Sequence, residues 1–369
     1  MTADDRTSSR NQRFTVLLPD LGGGGAERVA LALLQGFVQR GHPVDLVLVN
    51  RRGVLLPLVP QGVDIVDLGA PKLRQAIRPL IRYFRQRRPS AVHAMMWPLP
   101  LLAIIARWLA RVDMRIVGSE HTTLSTMPHG LRHAAVRAIT RRAYLKADAL
   151  VAVSAGVADD LAAFIEVPRQ RITVIHNPLL LPKTLPSAGL AATRWPPGTK
   201  RILAVGALKS EKNYPLLLRA FALVRRRMAA SLLILGDGPL RNVLERQVAD
   251  EGLTDLVVFA GFETDPWPFY AAADLFVLSS DYEGFGNVLV EAMHAGLPVV
   301  STDCPNGPRE ILKDGEFGTL ISCGDENALA IAIERDLLEP PSWGDQNQRA
   351  AVLSGTESIN AHIAVMQDP

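Results

Sequence analysis

Two glutamates, Glu283 and Glu291, flank seven residues in the stretch Ser279-Ser280-Asp281-Tyr282-Glu283-Gly284-Phe285-Gly286-Asn287-Val288-Leu289-Val290-Glu291. An apolar run precedes them and a helical pattern follows, so Glu283 falls in a loop after a strand and Glu291 inside the next helix. Gly284 and Gly286 keep that loop tight. The N–H groups near Asn287 and Val288 then lie at a helix N-terminus, which suits a diphosphate. A carboxylate about one turn further in can accept hydrogen bonds from ribose hydroxyls, and one before the helix can hold sugar hydroxyls. The bland alternative is two surface acids beside a loop.

A second glycine-rich loop lies near the start of the chain. The first apolar run ends at Pro19, Asp20-Leu21-Gly22-Gly23-Gly24-Gly25 follows, and Ala26-Glu27-Arg28 opens a helical pattern. The glycines let backbone approach a ligand closely, and the helix start offers its positive end to an anion. A dinucleotide fingerprint needs GxGxxG with an acid about twenty residues on. Here Glu27 stands at the third glycine's place, where it would repel a pyrophosphate. Nicotinamide-dependent oxidoreduction is therefore not expected.

These loops need a scaffold. Strands are expected at Phe14–Leu18, Val44–Val49, Val63–Leu68, Ala91–Met96, Arg115–Ser119, Ala149–Val153 and Arg171–Ile175, with helical patterns such as Ala26–Arg40 between most of them. A Pro- and Gly-rich stretch, 178–199, breaks the alternation and reads as a linker. Strands then resume at Arg201–Val205, Leu232–Leu235, Val257–Phe259, Leu275–Leu278, Val299–Ser301 and Gly318–Ile321, separated by helices at Tyr214–Met228, Leu240–Asp250, Asn287–Ala295 and Glu326–Leu338. Apolar runs without polar alternation imply parallel strands covered on both faces. The expectation is a polar, flexible tail at 1–12, one Rossmann-like α/β domain at 13–177, a second at 200–340, and a helical segment at 341–369. Ile359–Met366 could pack that segment back on the first domain. Two such domains form a cleft at the carboxyl ends of their strands.

Composition narrows the setting. The 369 residues are 48% hydrophobic and 21% charged, which is enough apolar material for two cores and excludes a mainly disordered chain. Neither Cys304 nor Cys323 belongs to a CxxC pair, so a disulfide framework or zinc site is not expected and a reducing, cytoplasmic compartment is. The N-terminus lacks the apolar core of a secretory signal, and Met95–Ala106 is too short to span a bilayer. The net charge of +3 is unevenly placed. Lys72, Arg74, Arg78, Arg82, Arg85, Arg87 and Arg88 follow one another with no acid, and Arg132, Arg137, Arg141, Arg142 and Lys146 form a second run. Either run is a solvated helix face or a surface for anionic lipid head groups or an anionic acceptor. Without interleaved aromatics, nucleic acid is not an expected partner.

The motifs, taken together and in order, resemble the retaining GT-B glycosyltransferases of the large fourth sequence family. They are GGGGAERVALAL (22–33), SEHT (119–122), VAVSAGV (151–157), VIHNPL (174–179), VGALKSEKNYPLLLRAF (205–221), LGDGPLR (235–241), FAGF (259–262), EGFGNVLVEAMHAGLPVVSTD (283–303), GPREIL (307–312) and DGEFGTL (314–320). The resemblance implies that Glu291 binds ribose, Glu283 holds the donor sugar and Lys212 pairs with the donor diphosphate. It places Gly24 and Gly25, with neighbouring Gly23, beside the phosphates and the acceptor, His121 near the transferring sugar, and the backbone at Gly261 and Phe262 against the base. Gly284, Phe285, Gly286, Asn287 and Val288 complete the expected donor site. Many relatives carry an arginine where this chain has Ala207. Lys209 is the neighbouring cation that could replace it.

The implied reaction moves a hexose or N-acetylhexosamine from a nucleotide-diphosphate sugar, with a UDP-sugar favoured, to a saccharide or lipid-linked acceptor with retention at the anomeric carbon. No DxD acid pair occurs, so no metal or other cofactor is expected. The basic first half points to a bacterial surface-polysaccharide or glycolipid pathway and to a peripheral position on the inner face of the cell membrane. A nucleotide-sugar 2-epimerase of the same fold is one alternative. A catalytically silent sugar-nucleotide-binding scaffold, for which Ala207 speaks, is another. His176 precedes Asn177-Pro178 and is expected to shape the hinge, and Asp237 a turn. His42, His93, His129, His133, His294 and His362 have no partner the sequence can name.

Overall fold

In a computed structural model, residues 12–125 and 131–367 are described. The expected N-terminal tail, apart from Gln12, lies outside them, as do His129 and the side chains of Arg132 and His133. The chain divides into two compact units. The first runs to Leu180 and is joined by the segment from Ser354, and the second is Leu181–Leu353.

The first unit holds seven strands: β1 Phe14–Leu18, β2 Val44–Leu48, β3 Val63–Asp67, β4 Ala91–Met95, β5 Arg115–Glu120, β6 Ala149–Ala152 and β7 Ile172–Val174. Five helices connect them: α1 Gly25–Gln39, α2 Ile77–Arg87, α3 Leu99–Ala110, α4 Leu131–Tyr144 and α5 Ala155–Ile165. All pairings are parallel, in the order β3-β2-β1-β4-β5-β6-β7. Strands β1, β2 and β4 are buried along their whole length, which is why they show no polar alternation. Chain order reverses between β1 and β4, the position where open α/β sheets bind ligands at their carboxyl edge.

The second unit repeats the plan with β8 Lys200–Val205, β9 Ala230–Leu235, β10 Val257–Gly261, β11 Leu275–Leu278, β12 Val299–Thr302 and β13 Thr319–Ile321. Its helices are α6 Tyr214–Arg225, α7 Arg241–Asp250, α8 Trp267–Ala272, α9 Asn287–His294, α10 Pro308–Leu312, α11 Glu326–Leu338 and α12 Gln346–Ser354. The parallel order β10-β9-β8-β11-β12-β13 reverses between β8 and β11. Its core is a cluster that includes Leu216, Leu217, Phe221, Leu232, Ile234 and Val277.

The stretch expected as a plain linker carries structure. Gly189–Arg194 forms a 3-10 turn, and buried Trp195 sends its indole N–H to the carbonyl of Ile202 at 3.2 Å. The C-terminal segment is divided rather than uniform. Helix α12 lies in the second unit up to Leu353, where Arg349 donates to the carbonyls of Glu310 and Ile311. A last helix, α13 (Thr356–Gln367), belongs to the first unit. It packs on α1, β4 and β5, burying Ser358, His362 and Met366. Gly36 of α1 makes room for it, since a Cβ there would come within 2.6 Å of Ile359. Arg115 Nε donates to the carbonyl of Val365 at 2.7 Å and Arg40 Nε to Asn360 Oδ1 at 2.9 Å.

Candidate functional site

In the second unit the expected donor residues gather where chain order reverses. Lys212 closes a 3-10 turn, Ser210–Lys212, that follows β8, and Glu283 follows β11. Lys212 Nζ meets Glu283 Oε1 at 2.6 Å, and Ser280 Oγ donates to the same oxygen at 2.6 Å. The two loops are stapled together. Ser279 Oγ donates to the carbonyl of Lys212 at 2.8 Å, Asn213 Nδ2 to Asp281 Oδ1 at 2.8 Å, and the Asp281 N–H to the carbonyl of Glu211 at 2.9 Å. Gly206 lies under the Lys212 side chain, where a Cβ would sit 3.3 Å from Lys212 Cε. The ammonium is thereby held over the ends of β8 and β11. Lys209 is exposed, and its side chain has no bonded partner among the described residues.

Glu291 lies inside α9, buried at 8% exposure, and its Oε2 accepts the Tyr270 hydroxyl at 2.8 Å. Helix α9 starts after Gly286, whose φ of 104° only glycine adopts readily, and no side chain caps it. The first turn of α9 therefore lies directly beside the loop that carries Glu283, its positive dipole end toward that loop. Phe285 is buried at 2% and anchors the loop. Gly261 ends β10, where its carbonyl accepts the Gly236 N–H at 2.7 Å, and Phe262 is 37% exposed. Asp237 serves its expected turn by accepting the N–H of Gly238 at 2.7 Å.

The first unit carries Gly23, Gly24, Gly25 and His121. Asp20 orders the glycine loop, its Oδ1 accepting the Gly22 N–H at 3.1 Å and its Oδ2 the Arg52 Nε at 2.9 Å. Gly24 is the N-cap of α1, and the Glu27 carboxylate folds back onto it, so close that a Cβ on Gly24 would lie 2.4 Å away. His121 follows β5 directly, with Nε2 at 3.1 Å from Ser119 Oγ. Burial, with some repulsion from His93, lowers its pKa to about 3, so the imidazole is neutral at pH 7.

Family models divide the chain as the fold does. The model described as Glycosyltransferase Family 4 matches residues 23–179, and that described as Glycosyl transferases group 1 matches residues 199–339. The lipopolysaccharide core biosynthesis glycosyltransferase LpsE of Rhizobium meliloti is 33% identical over 322 residues, 85% of each chain. The chain belongs to the group 1 glycosyl transferases. An N-acetylgalactosamine-N,N'-diacetylbacillosaminyl-diphospho-undecaprenol 4-alpha-N-acetylgalactosaminyltransferase of Campylobacter jejuni is 28% identical over 333 residues, 86% of this chain and 88% of its own. The fold matches that of Anabaena HepE, crystallised with UDP-glucose, at a TM-score of 0.77 and 22% identity over 96% of this chain and 98% of that one. The two parallel-sheet units are thus those of a GT-B glycosyltransferase.

Several supports of this glycosyl transferase escape a reading of the sequence. Tyr270 has no local signal, and Gly307 opens the GPREIL motif without a role that the sequence assigns to it. Gly307, at φ 94°, lies so close to the loop that a Cβ would fall 1.6 Å from the carbonyl oxygen of Phe285. Gly53 does the same for the first loop, with a Cβ position 2.0 Å from the Leu21 carbonyl oxygen. Glu120, beside His121, is fully buried, and it accepts the Trp97 N–H at 3.1 Å and the Tyr144 hydroxyl. Burial raises its pKa to about 7. His93 and His362 find each other, with ring centroids 5.0 Å apart, while His42 stacks on Phe14 at 4.3 Å and His294 Nε2 lies 2.8 Å from the Pro182 carbonyl oxygen. His176 offers its carbonyl to the Ser358 hydroxyl.

Proposed function

We propose that this glycosyltransferase moves a hexosyl or N-acetylhexosaminyl group from a nucleoside-diphosphate sugar, with UDP favoured, to a saccharide or lipid-linked acceptor, with retention at the anomeric carbon. The observation that carries the proposal is the set Lys212, Glu283 and Glu291 around the uncapped start of α9. In this reading the second unit takes the donor. Glu291 receives the ribose hydroxyls, Glu283 the sugar hydroxyls, and Gly261 and Phe262 border the base. The first unit brings Gly23, Gly24 and Gly25 to the donor phosphates and the acceptor, and His121 to the transferring sugar.

The anomeric carbon–phosphate oxygen bond breaks, and its electron pair stays on the diphosphate. The acceptor hydroxyl forms the new carbon–oxygen bond on the same face, and its proton passes to the departing phosphate. Charge therefore grows on the diphosphate, where the Lys212 ammonium and the N–H groups of α9 stabilise it. Lys209, exposed and unpaired, supplies the second cation in place of the arginine absent at Ala207.

The names of the relatives favour bacterial surface-glycan synthesis, and one of them acts on a diphospho-undecaprenol substrate. No helix among the described residues is long and apolar enough to cross a membrane. The first unit does expose Trp108 at 77%, with Leu109 on α3 and Leu145 after α4, near the exposed cations Arg142 and Lys146 in sequence. These residues suit peripheral contact with the inner face of an anionic bilayer.

Calorimetry with UDP-, GDP- and ADP-sugars on the wild type and Glu291→Ala tests the donor assignment. One donor should bind, and the variant should lose it. Absence of binding by any donor, with or without magnesium, overturns the reading. Donor binding without transfer to any acceptor favours the silent scaffold. The anomeric configuration of the product, read by NMR coupling, tests retention.

A further inference from the structure

Two cations of the first basic run are tied to their neighbours. Arg85 donates to the carbonyls of Ala110 at 3.3 Å and Leu109 at 3.0 Å, and Arg87 pairs with Asp64 at 3.3 Å. These two hold α2 in place. In the second run Arg137 and Arg141 both pair with Glu166. Arg74 and Arg78, by contrast, are exposed and pair with no carboxylate among the described residues.

Both line a cavity of about 580 Å³ in the first unit, between the end of β3 and the start of α2. Its other walls include Leu68, Pro71, Gln75 and Ile77, and no acid lines it. The nearest acid in sequence, Asp67, is turned away to backbone donors, its Oδ1 accepting the N–H groups of Gly69 at 2.8 Å and Arg51 at 3.1 Å. Two guanidiniums on one cavity without a counter-charge repel each other and attract an anion.

The position is equally telling. The cavity lies beyond the carboxyl end of β3, the edge strand, on the same side of the sheet as the glycine loop that follows β1. A chain of hydrogen bonds ties it to the glycine loop. Asn50 Nδ2 donates to the carbonyl of Ala70 at 2.8 Å, the Leu21 N–H to the carbonyl of Arg52 at 2.9 Å, and Arg52 Nε to Asp20 at 2.9 Å. The loops after β1, β2 and β3 thus form one ordered rim.

We propose that this cavity binds the diphosphate of a lipid-linked acceptor, with Arg74 and Arg78 making charge-assisted hydrogen bonds to its oxygens and Leu68, Pro71 and Ile77 receiving the first isoprene units. The proposal rests on the reading of the chain as a transferase with a lipid-linked acceptor. A phospholipid head group offers the same phosphate chemistry. The cavity is partly open to solvent, and its walls set the two arginines beside apolar side chains, a pairing that suits a diphosphate carrying an isoprenoid chain.

Geranyl diphosphate titrated into the full chain tests this. The double variant Arg74→Gln/Arg78→Gln should weaken its binding about tenfold or more, the effect of losing one or two charged hydrogen bonds. Arg111→Gln, on the exposed end of α3, should not. Equal affinity in the double variant and the wild type overturns the proposal. So does loss of binding in Lys212→Gln alone, which would put the probe in the donor site. Sedimentation with phosphatidylglycerol vesicles separates the two phosphate sources. If the double variant loses vesicle binding and keeps geranyl diphosphate, the arginines meet head groups and the proposal falls. The thermal midpoint and circular dichroism of the double variant, expected to equal those of the wild type, report its folding. A wild type that binds no nucleotide sugar overturns the transferase reading separately, whatever the cavity binds.

Discussion

The Tyr270 hydroxyl reaches from α8 to Glu291 Oε2 at 2.8 Å, with both side chains buried. A buried carboxylate is costly without donors, so the Tyr270 hydroxyl helps to position the group assigned to ribose. Tyr270→Phe should weaken donor binding about five- to tenfold, the effect of one net hydrogen bond, and change kcat much less. Calorimetry and steady-state kinetics check both halves. An unchanged donor affinity would mean that other groups hold Glu291.

The Lys212–Glu283 pair gives a second expectation. Both side chains are largely buried, at 18% and 10% exposure, so removing either partner alone leaves a charge without its counterpart. Lys212→Met should lower kcat by about 10²–10³-fold through loss of charge stabilisation on the leaving diphosphate. It should also lower the thermal midpoint. Adding Glu283→Gln should recover part of that midpoint and none of the activity. Additive midpoint losses in the double variant would show that the two side chains are not coupled.

Gly307 offers a test of the loop itself. Any Cβ there would strike the backbone of Phe285, and the positive φ is strained for other residues. Gly307→Ala should reduce stability by roughly 1–3 kcal/mol through strain, or displace the loop between Glu283 and Asn287. Either way donor affinity should fall. Thermal melting with and without donor distinguishes the two: a displaced loop leaves the apo midpoint near the wild type and abolishes the shift on adding donor.

Acid should loosen the first unit. Burial lowers the pKa of His93 to about 4 and of His121 to about 3 from an ordinary 6.5, and holds that of His362 well below. The folded state therefore binds fewer protons than the unfolded chain, and this share of stability is full above pH 6.5 and lost as pH falls toward 4 and then 3. Glu120 acts in the opposite sense. Its pKa is raised to about 7 from 4.5, so its share is full below 4.5 and lost as pH rises through 7. Three imidazoles outweigh one carboxyl between pH 6.5 and 4.5. Each proton contributes up to about 1.4 kcal/mol per pH unit. Melting temperatures from pH 7.5 to 4.5 should fall for the wild type and fall less steeply for His93→Phe. Parallel curves would place the acid response elsewhere.

Much of this was legible in the sequence because parallel strands covered on both faces leave unbroken apolar runs. Strand β11 is found at the expected residues, and β1 likewise. Strand β7 is shorter than expected, as the edge of a sheet pairs on one side only. The glycines and glutamates of the second-unit loop were readable because their chemistry is local. The roles of Tyr270 and of Gly307, the first residue of the GPREIL motif, were not, since each acts on a residue about twenty positions away through tertiary packing. His93 and His362 are farther apart still, and nothing near either one names the other. Nor does charge counting separate Arg85, consumed by backbone carbonyls, from Arg78, which faces an open cavity.

Helix α13 completes the first unit from the far end of the chain, and this orders events during synthesis. When Leu180 leaves the ribosome, the face of α1, β4 and β5 that receives Ile359, His362 and Met366 has no cover. All of Leu181–Leu353 must be made before the covering helix exists. At ~5–20 residues per second that interval is on the order of ten to thirty seconds. The nascent first unit thus presents an apolar face, with His93 of β4 uncovered, for that time, a surface suited to transient chaperone contact, and the second unit can finish folding before the first.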